Sequence, residues 1–131
     1  MEEHAMRNVI ATAGAPEAVG SYSQAVRAGN FLFLSGQICV HPQTGALERD
    51  SVASQTIRIM ENIKAVVEAA GGSMDNVVRC RAMLSDMKHF AEFESVYRRY
   101  FNKPYPARMT VACTGIYDTL DVEMDAIAYL P

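Results

Sequence analysis

The sequence predicts an α+β fold, a single mostly antiparallel sheet with two helices laid on one face. Three observations carry this expectation. Helical periodicity occurs twice, over residues 51–70 and roughly 88–101. Short stretches of period-two alternation flank both helical segments. No linker, repeat or low-complexity stretch divides the 131 residues, of which 50% are apolar and 21% charged. One domain spanning residues 1–131 is therefore expected, with enough apolar material for one core.

The elements follow in order. Met6-Arg-Asn-Val-Ile-Ala11 reads as a short first strand, and Gly14, Pro16 and Gly20 mark the loop after it. Gln24–Ala28 and Phe31–Ser35 flank Gly29-Asn30, the pattern of a tight hairpin. Pro42 and Gly45 make His41–Arg49 a loop. In the first helix Val52, Thr56, Ile59, Met60, Ile63, Val66, Val67 and Ala70 form one stripe. Asp50 or Ser51 caps its start and Gly71-Gly72 stops it. Val77–Leu84 is a strand, with Val78, Cys80, Ala82 and Leu84 expected on one face and Arg79 and Arg81 on the other. Asp86 caps the second helix, whose aromatic stripe of Phe90, Phe93, Tyr97, Tyr100 and Phe101 reads as core. Pro104 and Pro106 end it. Ala107–Cys113 and Leu120–Leu130 are the last two strands.

Composition excludes several functions. The formal net charge is −3, and no basic run exists to grip a phosphate backbone, which argues against nucleic acid as a partner. No apolar run reaches the roughly 18 residues of a membrane span. The acidic opening Met1-Glu2-Glu3-His4 fits neither a signal nor a transit peptide. Cys39, Cys80 and Cys113 are odd in number and far apart, so a disulfide framework is not expected and a reducing, cytoplasmic setting is. His4, His41 and His89 lack metal-ligand spacing. Walker, dinucleotide and nucleophile-elbow motifs are missing, so no metal or cofactor is expected.

What remains is a small set of polar residues on strands. Arg108 opens the next-to-last strand, either as a surface arginine with its stem on the sheet or as a bidentate fork for a carboxylate. If the last two strands pair antiparallel about Gly115-Ile116, Arg108 falls opposite Glu123 and Thr110 opposite Asp121. That arrangement is either a structural ion pair or a cation and a water-holding carboxylate in one site. Ser35-Gly36-Gln37 is either a strand-end turn or a place where a ligand approaches backbone N–H groups. Arg79, Arg81, Arg108 and Glu123 are expected on the sheet face that two helices leave uncovered. A further subunit would cover it.

Taken together, several segments resemble the RidA (reactive intermediate/imine deaminase, YjgF-type) family. They are Ala15-Pro16, Gly20-x-Tyr22-Ser23-Gln24-Ala25, Gly29-Asn30, Ser35-Gly36-Gln37, Pro42-x-Thr44-Gly45, Gln55-Thr56, Glu61-Asn62-x-Lys64, Glu68-Ala69-Ala70-Gly71, Pro106-Ala107-Arg108 and Val122-Glu123-Met124-x-Ala126-Ile127-Ala128. The resemblance runs over roughly residues 9–129. It implies a chorismate-mutase-like fold, a homotrimer with a central barrel, and clefts between subunits. It also implies hydrolysis of enamine or 2-imino acids, such as iminopropionate and iminobutyrate, to 2-oxo acids and ammonia, without a cofactor. By the same resemblance Arg108 holds the substrate carboxylate and Glu123 positions the attacking water. Tyr22, Ser35 and Gly36 line the cleft from a neighbouring subunit, with Glu94 and Thr110 near the substrate.

The sequence departs from the family pattern at three positions. Thr110 stands where many deaminating members have cysteine, Met109 where a small residue is usual, and Glu94 where an asparagine is usual. Glu94 would either repel an anionic imino acid or pair with Arg108. This change keeps two alternatives in view: a trimeric carboxylate-binding or chaperone-like protein without turnover, and a deaminase acting on another substrate, such as an aminomuconate. Some members carry the name endoribonuclease, a reading that the pI near 5.6 and the lack of a basic groove disfavour here.

Overall fold

The computed structural model describes residues 7–131. Met6 of the expected first strand and His4 lie outside the described residues. Eight elements follow in order: β1 (Asn8–Ile10), β2 (Ala25–Ala28), β3 (Phe31–Gln37), α1 (Val52–Ala69), β4 (Val77–Leu84), α2 (Phe90–Tyr97), β5 (Ala107–Ala112) and β6 (Val122–Tyr129). The six strands form one sheet in the order β1-β2-β3-β6-β4-β5. All pairings are antiparallel except that of β4 with β5. The expected fold class holds.

Local chemistry accounts for α1. The Ser51 side chain accepts from the Ser54 N–H, and the Ser54 hydroxyl accepts in return from the Ser51 N–H, a reciprocal capping box. The helix stops at Gly71, whose φ of +92° suits glycine, and the Gly72 N–H reaches back to the Val67 carbonyl. Between these ends Ile59, Met60, Ile63, Val66 and Val67 are buried against the sheet. Each such side chain contributes roughly 1.5–3 kcal/mol on burial.

On the sheet side the core is set by β6, where Val122, Met124, Ala126 and Ala128 are buried and alternate with half-buried residues. This explains a departure from expectation. Rather than forming a hairpin with β5, β6 inserts between β3 and β4. The strand with the most completely buried face takes the central position, and β5 is left to pair in parallel with β4 at the edge. The crossover through α2 joins those two parallel neighbours, as parallel pairing requires.

Two further details differ. A register shift between Val77 and Arg79 buries Val77 and leaves Val78 exposed, reversing the expected facing at the start of β4. The second helix is α-helical only over Phe90–Tyr97. Single 3₁₀ turns, Met87–His89 and Arg98–Tyr100, extend it at each end. Asp86 caps the first of these turns by accepting from the Lys88 N–H at 2.8 Å.

The sheet face away from the helices is uncovered, as expected. It carries Arg81, paired with Asp125 across strands, and the rings of Phe31, Phe33 and Tyr129, each 40% exposed or more. Phe31 and Tyr129 touch, with centroids 5.3 Å apart.

Candidate functional site

The first part of the site grows from an irregularity in β3. Leu34 lies opposite Ala126 and Gln37 opposite Met124, so Ser35 and Gly36 together span the single residue Asp125. This bulge brings the backbone of Gly36 against the carboxylate of Glu123. A Cβ on Gly36 would lie 2.5 Å from Glu123 Oε2, so the close approach depends on glycine. The Ser35 hydroxyl is held by donation to the Ser23 carbonyl at 2.6 Å, and its N–H donates to the Gln24 carbonyl.

The loop before β2 is fixed by Gln24, a buried amide. Its Nε2 donates to the carbonyls of Thr12, Ala15 and Pro16, and its Oε1 accepts from the Thr12 N–H at 2.8 Å. Tyr22, half exposed, lies on this loop. The result is a cleft of about 950 Å³ bordered by Tyr22, Ser35, Gly36, Tyr117 and Glu123.

Glu123 binds its proton more tightly than an ordinary carboxyl, first because burial disfavours the charge and second because Asp125 repels it. A raised acid stabilises the fold most when protonated, and that contribution is lost as pH rises from its unfolded value through its folded one. Glu123→Gln is therefore expected to be more heat-stable than the parent at neutral pH. The gain should shrink to nothing below about pH 4. Melting curves across pH check this; a difference independent of pH would contradict it.

The second part lies elsewhere. Arg108 and Thr110 on β5 stand beside Cys80 and Ala82 on β4, both of which are buried under the helices. Arg108 thus lies on the helix-covered face, not on the open face with Arg79 and Arg81 as expected. Its partner β4 fixes the pleat, and the supposed pairing with β6 would have fixed the opposite one. The guanidinium lies over the Tyr97 ring at 4.7 Å, with Phe90 and Phe93 at 5.4 and 5.8 Å. Arg108 Nη1 donates to Glu94 Oε1 at 2.6 Å, and the two side chains remain 23% and 34% exposed. Thr110 Oγ1 is buried without a hydrogen-bond partner.

The residues singled out in the sequence therefore gather into two groups. Glu123, Tyr22, Ser35 and Gly36 share one cleft, and Arg108, Glu94 and Thr110 cluster at the β5 edge. Glu123 pairs in register with Met83, not with Arg108. Two strand positions and the thickness of the sheet separate the groups within one chain.

Sequence reasoning assigned no role to Gln24, Gln55 or Asn62. Gln55 is buried and grips Asp121, accepting from its N–H at 2.9 Å. Asn62, also buried, donates to the Val40 carbonyl at 3.0 Å. A signal existed for two of them: Gln55 and Asn62 occupy α1 positions that the surrounding periodicity assigns to the core. Tyr117 carried no signal.

Among the described residues no three His, Cys, Asp or Glu side chains converge as a metal centre requires. No helix among them is long and apolar enough to cross a membrane.

Comparison with known proteins gives the family and the fold. The family model for endoribonuclease L-PSP matches residues 12–130. Reactive Intermediate Deaminase A, chloroplastic, from Arabidopsis thaliana is 36% identical over 95% of this chain and 66% of its own. The crystal structure of RidA from the Antarctic bacterium Psychrobacter sp. PAMC 21119 is 41% identical and superposes with a TM-score of 0.90, covering 94% of this chain and 99% of its own. E. coli TdcF, solved with bound serine, is 35% identical with a TM-score of 0.90, covering 95% and 99%. The expected chorismate-mutase-like fold is thereby shown.

Proposed function

The chain belongs to the endoribonuclease L-PSP (YjgF/RidA) family, and from that premise we propose that it is a deaminase of small 2-imino acids acting as a homotrimer. The observation that carries this reading is the division of the site. Arg108 is a carboxylate fork on an edge strand, and Glu123 is a raised-pKa carboxylate in a cleft on the other sheet face. Neither suffices alone. A closed ring that sets the β5 edge of one copy against the cleft of the next completes the site and covers the open face.

In this reading Arg108 binds the substrate carboxylate with the part of its fork that Glu94 leaves unused. Glu123 of the neighbouring copy, with Tyr22, Ser35 and Gly36, orients a water toward the imine carbon. Glu123 takes a proton from that water as oxygen adds to carbon, and the proton goes to the nitrogen. Glu123 next relays the hydroxyl proton of this carbinolamine to its amine, and the C–N bond breaks as the C=O forms, releasing ammonia and the 2-oxo acid. The imine carbon is already electrophilic, so orientation and one base supply the catalysis. One unit spanning residues 1–131 holds each half-site, and its three free thiols suit a reducing, cytoplasmic compartment. The TdcF relative with bound serine supports a ligand of amino-acid size.

The deciding experiment generates iminobutyrate or iminopropionate with an amino-acid oxidase, traps it with semicarbazide, and measures whether the protein suppresses the trapped product. Suppression supports the reading, and an unchanged trapping rate rejects it. Light scattering should give three times the 14.4 kDa of one chain. A monomer mass would remove the shared site.

A second reading, carboxylate binding without turnover, is favoured by the Arg108–Glu94 pair, which already occupies part of the fork. The two readings part at Glu94→Asn. Releasing the guanidinium from its internal partner should raise affinity for 2-oxobutyrate about tenfold, a charged hydrogen bond's worth in a partly exposed setting. It should also speed iminobutyrate hydrolysis. Calorimetry and the trapping assay measure both. Tighter binding without faster turnover points to the binder, and collapse of activity makes Glu94 a catalytic group.

A further inference from the structure

We infer that Tyr117 extends the range of substrate side chains that the Glu123 cleft accepts from small ones to bulky apolar or aromatic ones, and that Arg49 is its positioning residue; this rests on the deaminase reading above. The starting point is a short turn over Tyr117–Thr119 between β5 and β6. Asp118 and Thr119 both have left-handed backbones, with φ of 52° and 55°. Asp tolerates this region, but a β-branched threonine rarely enters it. Such a conformation persists only where its surroundings over-determine it.

Here they do. Arg49 Nη1 donates to Asp118 Oδ2 at 2.9 Å, and Nη2 donates to the Asp118 carbonyl at 2.8 Å and to Thr119 Oγ1 at 3.1 Å. The Thr119 hydroxyl donates in turn to the Asp118 carbonyl at 2.6 Å. On either side Ile116 and Leu120 are buried together with Cys39. The chain is thus pinned before and after Tyr117, while Tyr117 itself is 66% exposed and contributes nothing to that cluster. Its ring borders the same cleft as Gly36 and Glu123.

The size of the cleft says what the ring is for. In the single chain it measures about 950 Å³, within the roughly 300–1,000 Å³ that accommodates drug-sized ligands, and the β5 edge of the next copy would take part of that space. Val19, 85% exposed, and Tyr22 supply further apolar surface. With its carboxylate and imine directed to the charged groups, a substrate side chain has Tyr117 as an aromatic face to stack on. A methyl or ethyl side chain uses little of that face. A phenyl ring uses most of it.

The test compares 2-iminobutanoate with 2-imino-3-phenylpropanoate, each made by an amino-acid oxidase and trapped with semicarbazide, on one preparation of each variant. Tyr117→Ala should lower the phenyl-to-ethyl ratio of kcat/KM about tenfold, mainly through KM for the larger substrate. Tyr117→Phe should preserve the ratio. Arg49→Met should reproduce the Tyr117→Ala ratio and add nothing to it in the double variant, while Arg49→Lys should recover part of it. Rates are referred to the folded fraction measured by circular dichroism, so loss of folded protein is separated from a true parallel fall in kcat/KM. A ratio unmoved by Tyr117→Ala overturns the inference, as does a parallel fall for both substrates, which would mean that a second copy of the chain fills this part of the cleft.

If the parent protein turns over neither imine, the deaminase reading fails. The ratio of calorimetric affinities for phenylpyruvate and 2-oxobutyrate then decides the role of Tyr117 by the same criterion. Binding of neither oxo acid overturns both.

Discussion

Arg108→Lys is expected to fold normally and to lose two to three orders of magnitude in kcat/KM for 2-iminobutanoate. The geometry of the guanidinium sets the size of this loss. The guanidinium lies over the Tyr97 ring and is tied to Glu94 at 2.6 Å, so its plane and the direction of its remaining donors are fixed. A lysine ammonium keeps the charge, loses the planar fork and does not sit flat on three rings. Truncating one partner of a desolvated charged pair costs about 2–5 kcal/mol, and each 1.4 kcal/mol is about a factor of ten. The loss sits in substrate orientation, so both kcat and the affinity for 2-oxobutyrate should fall. Trapping kinetics and calorimetry measure them, with circular dichroism as the check on folding. An Arg108→Ala protein with unchanged kcat/KM would refute the assignment.

Gly36→Ala should behave differently, sparing stability and binding while lowering kcat about a hundredfold. The added methyl would meet Glu123 Oε2 at 2.5 Å, and that oxygen is the far end of a flexible side chain. The carboxylate yields by swinging aside, so the sheet is not strained. A displacement of order 1 Å at a water-directing group is enough to cost about a hundredfold in rate. Parent-like melting together with a reduced kcat is the expected pair of results. Full activity in this variant would mean that Glu123 need not stand against Gly36, and the role proposed for it would go.

How far the sequence foretold the molecule depends on the range of the interactions involved. A cap at Asp50 or Ser51, which the structure resolves to Ser51, the Gly71 stop and the β4 boundaries were legible because each is set within a few residues. The hairpin around Gly29-Asn30 was legible for the same reason. The partner of β5 was not. Adjacency in sequence favoured a β5–β6 hairpin, and what decided the matter was competition among strands for the centre of the sheet. The buried alternation of Val122, Met124, Ala126 and Ala128 won it. That one pairing also moved Arg108 to the opposite face. Its contact with Glu94 was one of two options raised by the family resemblance, which puts both residues near the substrate. Tyr117 was silent because its exposure depends on a left-handed turn and on Arg49, which is 68 positions earlier by number but adjacent in space.

The two buried amides of α1 have a mechanical consequence. Gln55 holds the approach to β6 through Asp121, and Asn62, two turns further along, holds the strand of chain at Val40 that leaves β3. Two borders of the Glu123 cleft, the approach to β6 and the chain leaving β3, are thereby bolted to a single rod. They cannot part like jaws around a hinge of their own; any opening must carry the helix with it, or first surrender a buried amide. Those two borders and the hydrophobic core then form one cooperative unit, and the loop that carries Tyr22 stands outside it.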